Sequence, residues 1–170
     1  MIRYLLNANR AAMLKTICWS EGTSLSPITK AEGFDVVVTG IDGKPEVFTD
    51  FSRHPFENRA PKVINSRGLE STAAGGPQIL LRFWRYYQKL LNLPDFSRDS
   101  QEQYVMQQFK EHSALGLLDL GQFDQSVTAI SGLWASFPGK QYVGQGQHTI
   151  DALRAIYLKS GGNLHPDNPA

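Results

Sequence analysis

The stretch FDVVVTGIDGKPEVFTDF, residues 34–51, decides the fold class. Phe34 to Thr39 is aromatic and β-branched, and Glu46 to Thr49 repeats that character. Between them GIDGKP is dense in residues that favour turns. The stretch predicts a β-hairpin. On its N-terminal side lies a helical pattern, and helical patterns dominate the chain from about residue 78 on. One helix, a small hairpin and then several helices make an α+β chain with segregated elements.

Upstream, residues 7–21 place Ala11, Leu14, Ile17, Cys18 and Glu21 at helical spacing on one face. Asn7 is a good N-cap and Gly22 supplies the left-handed residue that ends many helices. Downstream, SRHPFENRAPKVINSRG reads as irregular and STAAGGPQ as a turn. QILLRFWRYYQKLL reads as a helix with Pro77 at its entry. Ser97 or Ser100 caps a further helix, with SQEQ as a capping box. Weaker helices are predicted near residues 123–130 and 148–157. The expected organisation is one domain over residues 1–162, with its β part at about 30–52 and a flexible tail at 163–170.

Composition excludes several classes. The chain has 170 residues, 17 Lys+Arg against 16 Asp+Glu, and a formal net charge of +1. That balance gives no case for nucleic-acid binding. One cysteine, Cys18, excludes an intramolecular disulfide, and its place on the apolar face marks it as a small buried hydrophobe. No stretch has the length of a membrane span, and MIRYLLNANR is too short an apolar run for a signal peptide or anchor. His54, His112, His148 and His165 follow no metal-binding spacing and read as solvated or hydrogen-bonded residues.

Glu21 is the residue with chemical promise. A carboxyl at the end of an apolar helical face is penalised for ionising by burial and by the negative end of the helix dipole. Kept protonated near neutrality, it can donate to a leaving group, as glycosidic cleavage requires. The plain alternative is a carboxylate that bends out to water. Asp35 and Asp50 flank the hairpin strands as candidates for a second carboxylate, or simply as turn and strand-end residues. Gly75 and Gly76 lack the lysine and preceding strand of a phosphate loop; their expected use is close approach of a polymer to the backbone. Trp19 and Trp84 are expected in the core.

The motifs WSEGT, GFDVVVTG, FTDFSRHP, STAAGGPQILLRFW, PDFSRDSQ, QQFKEHSAL and LWASFPG occur in this order along the chain. In that order and spacing the chain resembles the lambda-type phage endolysins, which are lytic transglycosylases of lysozyme-like fold. The resemblance runs from about residue 7 to 162. It implies a helical lobe and a small β-lobe with a peptidoglycan strand between them. It implies that Glu21 is the catalytic acid, and that Gln78 and Tyr142 line the substrate cleft with Asp35 and Asp50 beside it. The reaction implied is cleavage between N-acetylmuramic acid and N-acetylglucosamine with closure of a 1,6-anhydro ring, without metal or organic cofactor. It further implies a monomer held in the host cytoplasm until a separate membrane-permeabilising protein releases it. Where the family reads GRYQ, this chain has Gly76, Pro77 and Gln78, so an arginine and a tyrosine are missing from one wall. The rival readings are a hydrolytic muramidase of the same fold, with Asp35 or Asp50 activating water, and a non-catalytic glycan-binding module.

Overall fold

The computed structural model describes residues 3–139 and 146–166. These fall into two compact units. One comprises Arg3 and Gly22–Tyr104; the other comprises Tyr4–Glu21 and the described residues from Val105 on.

The second unit is helical. Helix α1 spans Ala8–Ser20, and the Asn7 side chain accepts a hydrogen bond from the Arg10 backbone N–H, as the cap reading requires. Gly22 comes next with φ +73°, the left-handed conformation that lets the chain leave the helix. Burial of α1 is wider than the single predicted stripe: Asn9, Ala12, Met13, Leu14, Thr16, Ile17, Cys18 and Ser20 are all buried. Helix α1 packs on α4 (Leu115–Asp119) and α6 (Ile150–Lys159), and α5 (Phe123–Ala129) joins both. Asn9 fastens this arrangement: its Nδ2 donates to the Leu118 carbonyl at 3.0 Å and its Oδ1 accepts from Asn163 N–H at 2.8 Å. His165 N–H donates to the Gly121 carbonyl at 2.9 Å. The expected free tail is thus anchored at its start.

The first unit carries the sheets. β1 (Val36–Val37) pairs antiparallel with β2 (Glu46–Val47), with Val36 opposite Val47, which is the predicted hairpin. That hairpin is half of a larger sheet. β5 (Ala73–Ala74) pairs with β1, and β6 (Ile79–Leu80) pairs with β5, giving the order β2-β1-β5-β6. A second hairpin, β3 (Lys62–Val63) with β4 (Glu70–Ser71), occupies residues expected to be irregular. The strand-bearing region therefore runs to Leu80, well past the expected limit near residue 52.

Helix α2 spans Leu81–Leu91, later than predicted, because Ile79 and Leu80 pair with β5. Pro77 lies in the β5–β6 turn and does not open the helix. Helix α3 spans Arg98–Glu111 with Ser97 at its cap, where Gln101 N–H donates to the Ser97 carbonyl at 2.9 Å. Ser100 is inside this helix, so SQEQ is not its capping box.

The core of the sheet-bearing unit centres on Trp84 and Phe96, both fully buried, with ring centroids 4.7 Å apart. Gln101 is its polar hub: Nε2 donates to the Phe34 and Phe96 carbonyls and Oε1 accepts from Gly76 N–H at 3.1 Å. Gly75 has φ +80°, and a Cβ there would stand 2.1 Å from Gln101 Oε1. The glycine therefore makes room for a buried glutamine, not for a polymer as its sequence context suggests.

Candidate active site

Glu21 ends α1. Its N–H donates to the Ile17 carbonyl at 2.9 Å, so the backbone is still helical while the side chain leaves the helix. The residue is half-buried. Burial of the carboxyl raises its pKa above the usual carboxylate range, and a hydrogen bond from Ser136 pulls in the other direction.

Ser136 Oγ lies 2.5 Å from Glu21 Oε1 and 3.1 Å from Ser20 Oγ. Ser20 Oγ in turn lies 2.9 Å from the Ile17 carbonyl, to which it donates. The pair of hydroxyls serves both charge states of the acid. With Glu21 ionised, Ser136 donates to the carboxylate. With Glu21 protonated, the carboxyl donates to Ser136, which turns its own proton to Ser20. Neither state leaves a polar group unpaired in this row, because a hydroxyl is both donor and acceptor.

Packing fixes Ser136. Trp134 and Phe137 are both buried, their rings 5.7 Å apart, with Phe109 at 6.3 Å from Trp134. His148 closes the other side: its N–H donates to the Ser136 carbonyl at 2.9 Å, and its Nε2–H donates to the Ser20 carbonyl at 3.2 Å. Its ring lies 4.5 Å from that of Trp19. Trp19 is half-buried against His148, not in the core as expected. Ser20, Ser136 and His148 thus join Glu21 from three parts of the helical unit. Of these, His148 takes the hydrogen-bonded form of the two readings its sequence leaves open, solvated or hydrogen-bonded. Ser136 gives no local signal, since it is a serine 115 positions from its partner.

The other candidates belong to the sheet-bearing unit or lie elsewhere. Asp35 is buried, 3% exposed, and accepts from the Thr29 hydroxyl and from Lys30 N–H at 2.8 Å. It ties the 29–35 loop together, with both carboxylate oxygens engaged inside that loop. Asp50 is exposed; the Ser52 hydrogen bonds hold its pKa below the ordinary value, and Arg53 Nε is 3.7 Å away. It borders a pocket of about 440 Å³ that also includes Glu46, Arg53, Asn58 and Arg59. Gln78 adopts φ +52°, and its Nε2 donates to the Gly75 carbonyl at 3.0 Å and towards the Val36 carbonyl at 3.4 Å. It braces the β5–β6 turn. Tyr142 lies outside the described residues. Among the described residues, no group of three or more His, Cys, Asp or Glu is arranged to hold a metal ion.

The architecture matches that of solved lysozymes. A bacteriophage lambda lysozyme complexed with a chitohexasaccharide superposes with a TM-score of 0.85, at 40% identity, over 95% of this chain and 99% of that one. A second structure of the lysozyme from bacteriophage lambda gives 0.81 at 38% identity, with the same coverage. The fold is therefore lysozyme-like, with Glu21 ending its first helix. The Endolysin family profile matches residues 11–164. The endolysin of Escherichia phage P2 is 45% identical over 155 residues, covering 91% of this chain and 93% of that protein. The endolysin of Escherichia phage lambda is 41% identical over 160 residues, covering 94% and 95%. The chain belongs to the endolysin family.

Proposed function

We propose that this protein cleaves the β-1,4 bond between N-acetylmuramic acid and N-acetylglucosamine in peptidoglycan, for lysis of a bacterial host, as a lytic transglycosylase. Glu21 protonates the bridging oxygen, and the C1–O bond breaks with that oxygen leaving as a hydroxyl. The Glu21 carboxylate then takes the proton of the muramic acid 6-hydroxyl, whose oxygen bonds to C1 and closes a 1,6-anhydro ring. No water is consumed, and the proton count of Glu21 returns to its starting value. The attacking hydroxyl belongs to the same sugar, so it is effectively concentrated without a second carboxylate to position it.

The observation that carries this reading is the half-buried Glu21 carboxyl with its pKa raised by burial and with Ser136 as a partner in either charge state. An acid that must become a base within one turnover needs such a partner. The buried Asp35, already bonded within its loop, favours a one-carboxylate mechanism over hydrolysis assisted by that residue. The chitohexasaccharide in the related lambda lysozyme supports a glycan strand as ligand. In this reading the enzyme works as a monomer and collects in the host cytoplasm until another protein permeabilises the membrane.

The test is mass analysis of fragments released from purified cell walls. Anhydro products are lighter by one water than their hydrolytic counterparts and have no reducing end, so borohydride leaves them unchanged. Fragments that gain two hydrogens on borohydride treatment overturn the transglycosylase assignment in favour of a hydrolytic muramidase.

A further inference from the structure

Helix α2 carries an outer face that neither its own unit's ion pairs nor the Glu21 site explains. Its sequence, LRFWRYYQKLL, contains Arg82, Arg85 and Lys89 and no acidic residue. At 100° per residue, Arg85, Lys89, Arg82, Tyr86, Leu90 and Phe83 succeed one another around an arc of about 160°. All six are exposed, with Phe83 at 44%, Tyr86 at 61% and Leu90 at 52%. The opposite side holds the fully buried Trp84. The exposed arc is thus half cationic and half aromatic or aliphatic, with the two halves side by side.

Single cations without an ion pair among the described residues, such as Lys30, Lys44 and Arg67, occur elsewhere in this unit, but here three share one face of one helix. Arg3, Arg53, Arg59, Lys62 and Arg98 of the same unit are each paired with a carboxylate. Among the described residues, Arg82, Arg85 and Lys89 take part in no such pair; Arg82 instead lies over the Phe83 ring at 4.7 Å. With 17 basic against 16 acidic residues, the chain has ample carboxylates, yet none is placed on this helix.

We propose that this face of α2 is a docking surface for an anionic phospholipid membrane. Three unpaired cations select a negatively charged partner and oppose face-to-face pairing with a second copy of the chain. The neighbouring Tyr86, Leu90 and Phe83 gain nothing from a purely polyanionic polymer. They gain from a partner that offers an apolar layer directly beneath its charges, which is the structure of a bilayer interface. Helix α2 is short and its inner side belongs to the core, so the contact is peripheral and reversible. No helix among the described residues is long and apolar enough to cross a membrane. This surface is independent of the chemistry assigned to Glu21.

Flotation of the full chain with vesicles tests it. Phosphatidylcholine vesicles containing phosphatidylglycerol should carry the protein, phosphatidylcholine alone should not, and added salt should weaken the binding. Each cation near an anionic surface contributes roughly fivefold to partition. The triple variant R82Q/R85Q/K89Q should therefore lose on the order of a hundredfold. The double variant F83S/L90S should bind more weakly while keeping the salt dependence. Both variants should melt near the parent temperature and clear cell walls at the parent rate. Equal binding to both vesicle types, or unchanged binding by the triple variant, overturns the proposal. So does dimerisation through this face. Preferential retention on duplex DNA that F83S/L90S leaves intact would make the partner a polyanion and overturn it as well.

Discussion

Glu21 and His54 are both titratable groups whose pKa is shifted chiefly by burial, one in each unit of the molecule. Burial disfavours the charged form in both. It raises the pKa of Glu21 and lowers that of His54 to about 4. The difference lies in their partners. His54 is fully buried, with Phe96 at 4.6 Å and Phe56 at 6.0 Å. Its Nε2–H donates to the Ile79 carbonyl at 2.9 Å and its Nδ1 accepts from Phe56 N–H at 3.2 Å. Two fixed backbone groups admit one neutral tautomer, and a proton on Nδ1 would point at an N–H. Glu21 keeps some exposure and faces a hydroxyl that can reverse its direction. A perturbed pKa is thus common to a structural residue and a catalytic one. A reversible partner and access to solvent separate them.

The comparison breaks if Glu21 proves as structural as His54. Glu21→Gln keeps the shape and removes the transferable proton. Clearing of cell walls should fall about a thousandfold or more, the combined scale of proton transfer and transition-state electrostatics. Stability should move the other way. A carboxyl with a raised folded-state pKa binds more protons folded than unfolded, so it costs stability as pH rises from about 4.5 through the raised value. The variant lacks that cost and should equal or exceed the parent in thermal melts at neutral pH. A folded variant that still clears walls at a comparable rate removes Glu21 from the chemistry.

His54→Ala should show the reverse pattern, a loss of fold first. It empties a buried ring site and leaves the Ile79 carbonyl and Phe56 N–H without their partner, a loss of roughly 3 kcal/mol in denaturant titration. In the parent, the unfolded chain binds a proton near pH 6.5 that the folded chain refuses until about pH 4. Stability should therefore decline as pH falls through that window, by up to roughly 3 kcal/mol. The variant should lack this slope. An unchanged slope would show that another group controls acid lability.

Ser136→Ala sharpens the comparison by removing the reversible partner. The Ser136 hydrogen bond holds the Glu21 pKa down, so its loss should move the alkaline limb of the pH–rate profile to higher pH. The rate below that limb should fall by about ten- to a hundredfold, since one hydrogen bond to a charged group is worth about 1.5–3 kcal/mol. A purely structural serine would lower the melting temperature without moving the limb. Pre-steady-state or single-turnover rates across pH would separate the two.

How far the sequence reveals this depends on distance along the chain. Helix α1 is legible because Asn7 and Gly22 mark both ends locally. The β1–β2 hairpin is legible from its turn residues. The β3–β4 hairpin is not, although Asn65 Oδ1 accepts from Arg67 and Leu69 N–H and Gly68 takes φ +76°; the short strands KV and ES carry no alternation to read. The start of α2 is misread because the pairing of Ile79 with Ala74 is a tertiary fact that overrides helical spacing. At the site, Glu21 is visible as a carboxyl in an apolar pattern. Its partner Ser136 is invisible, since only folding brings residue 136 to residue 21. Asp35 stands out for its position beside a strand, and only the structure shows both of its oxygens bonded within a loop.

The smallest expected effect concerns Asp50, and it tests whether Glu21 acts with a second carboxylate. Asp35 is a poor test, because Asp35→Asn can keep only one of the two acceptor contacts to Thr29 and Lys30 and will loosen the loop whatever its role. Asp50 is exposed, and its contacts are local ones to Ser52 and Arg53. Asp50→Asn keeps an oxygen for Ser52 N–H and removes the charge. Its low pKa keeps it ionised through the neutral range, which is the state a base or nucleophile would need. A hydrolytic enzyme relying on it would lose several orders of magnitude on losing that charge, since a carboxamide neither activates water nor attacks carbon. A transglycosylase driven by Glu21 alone should clear walls within about twofold of the parent, with unchanged anhydro products, because a solvent-exposed charge contributes little to binding or stability. Collapse of activity in a variant that melts normally would give Glu21 a second catalytic carboxylate and rule out the single-residue mechanism.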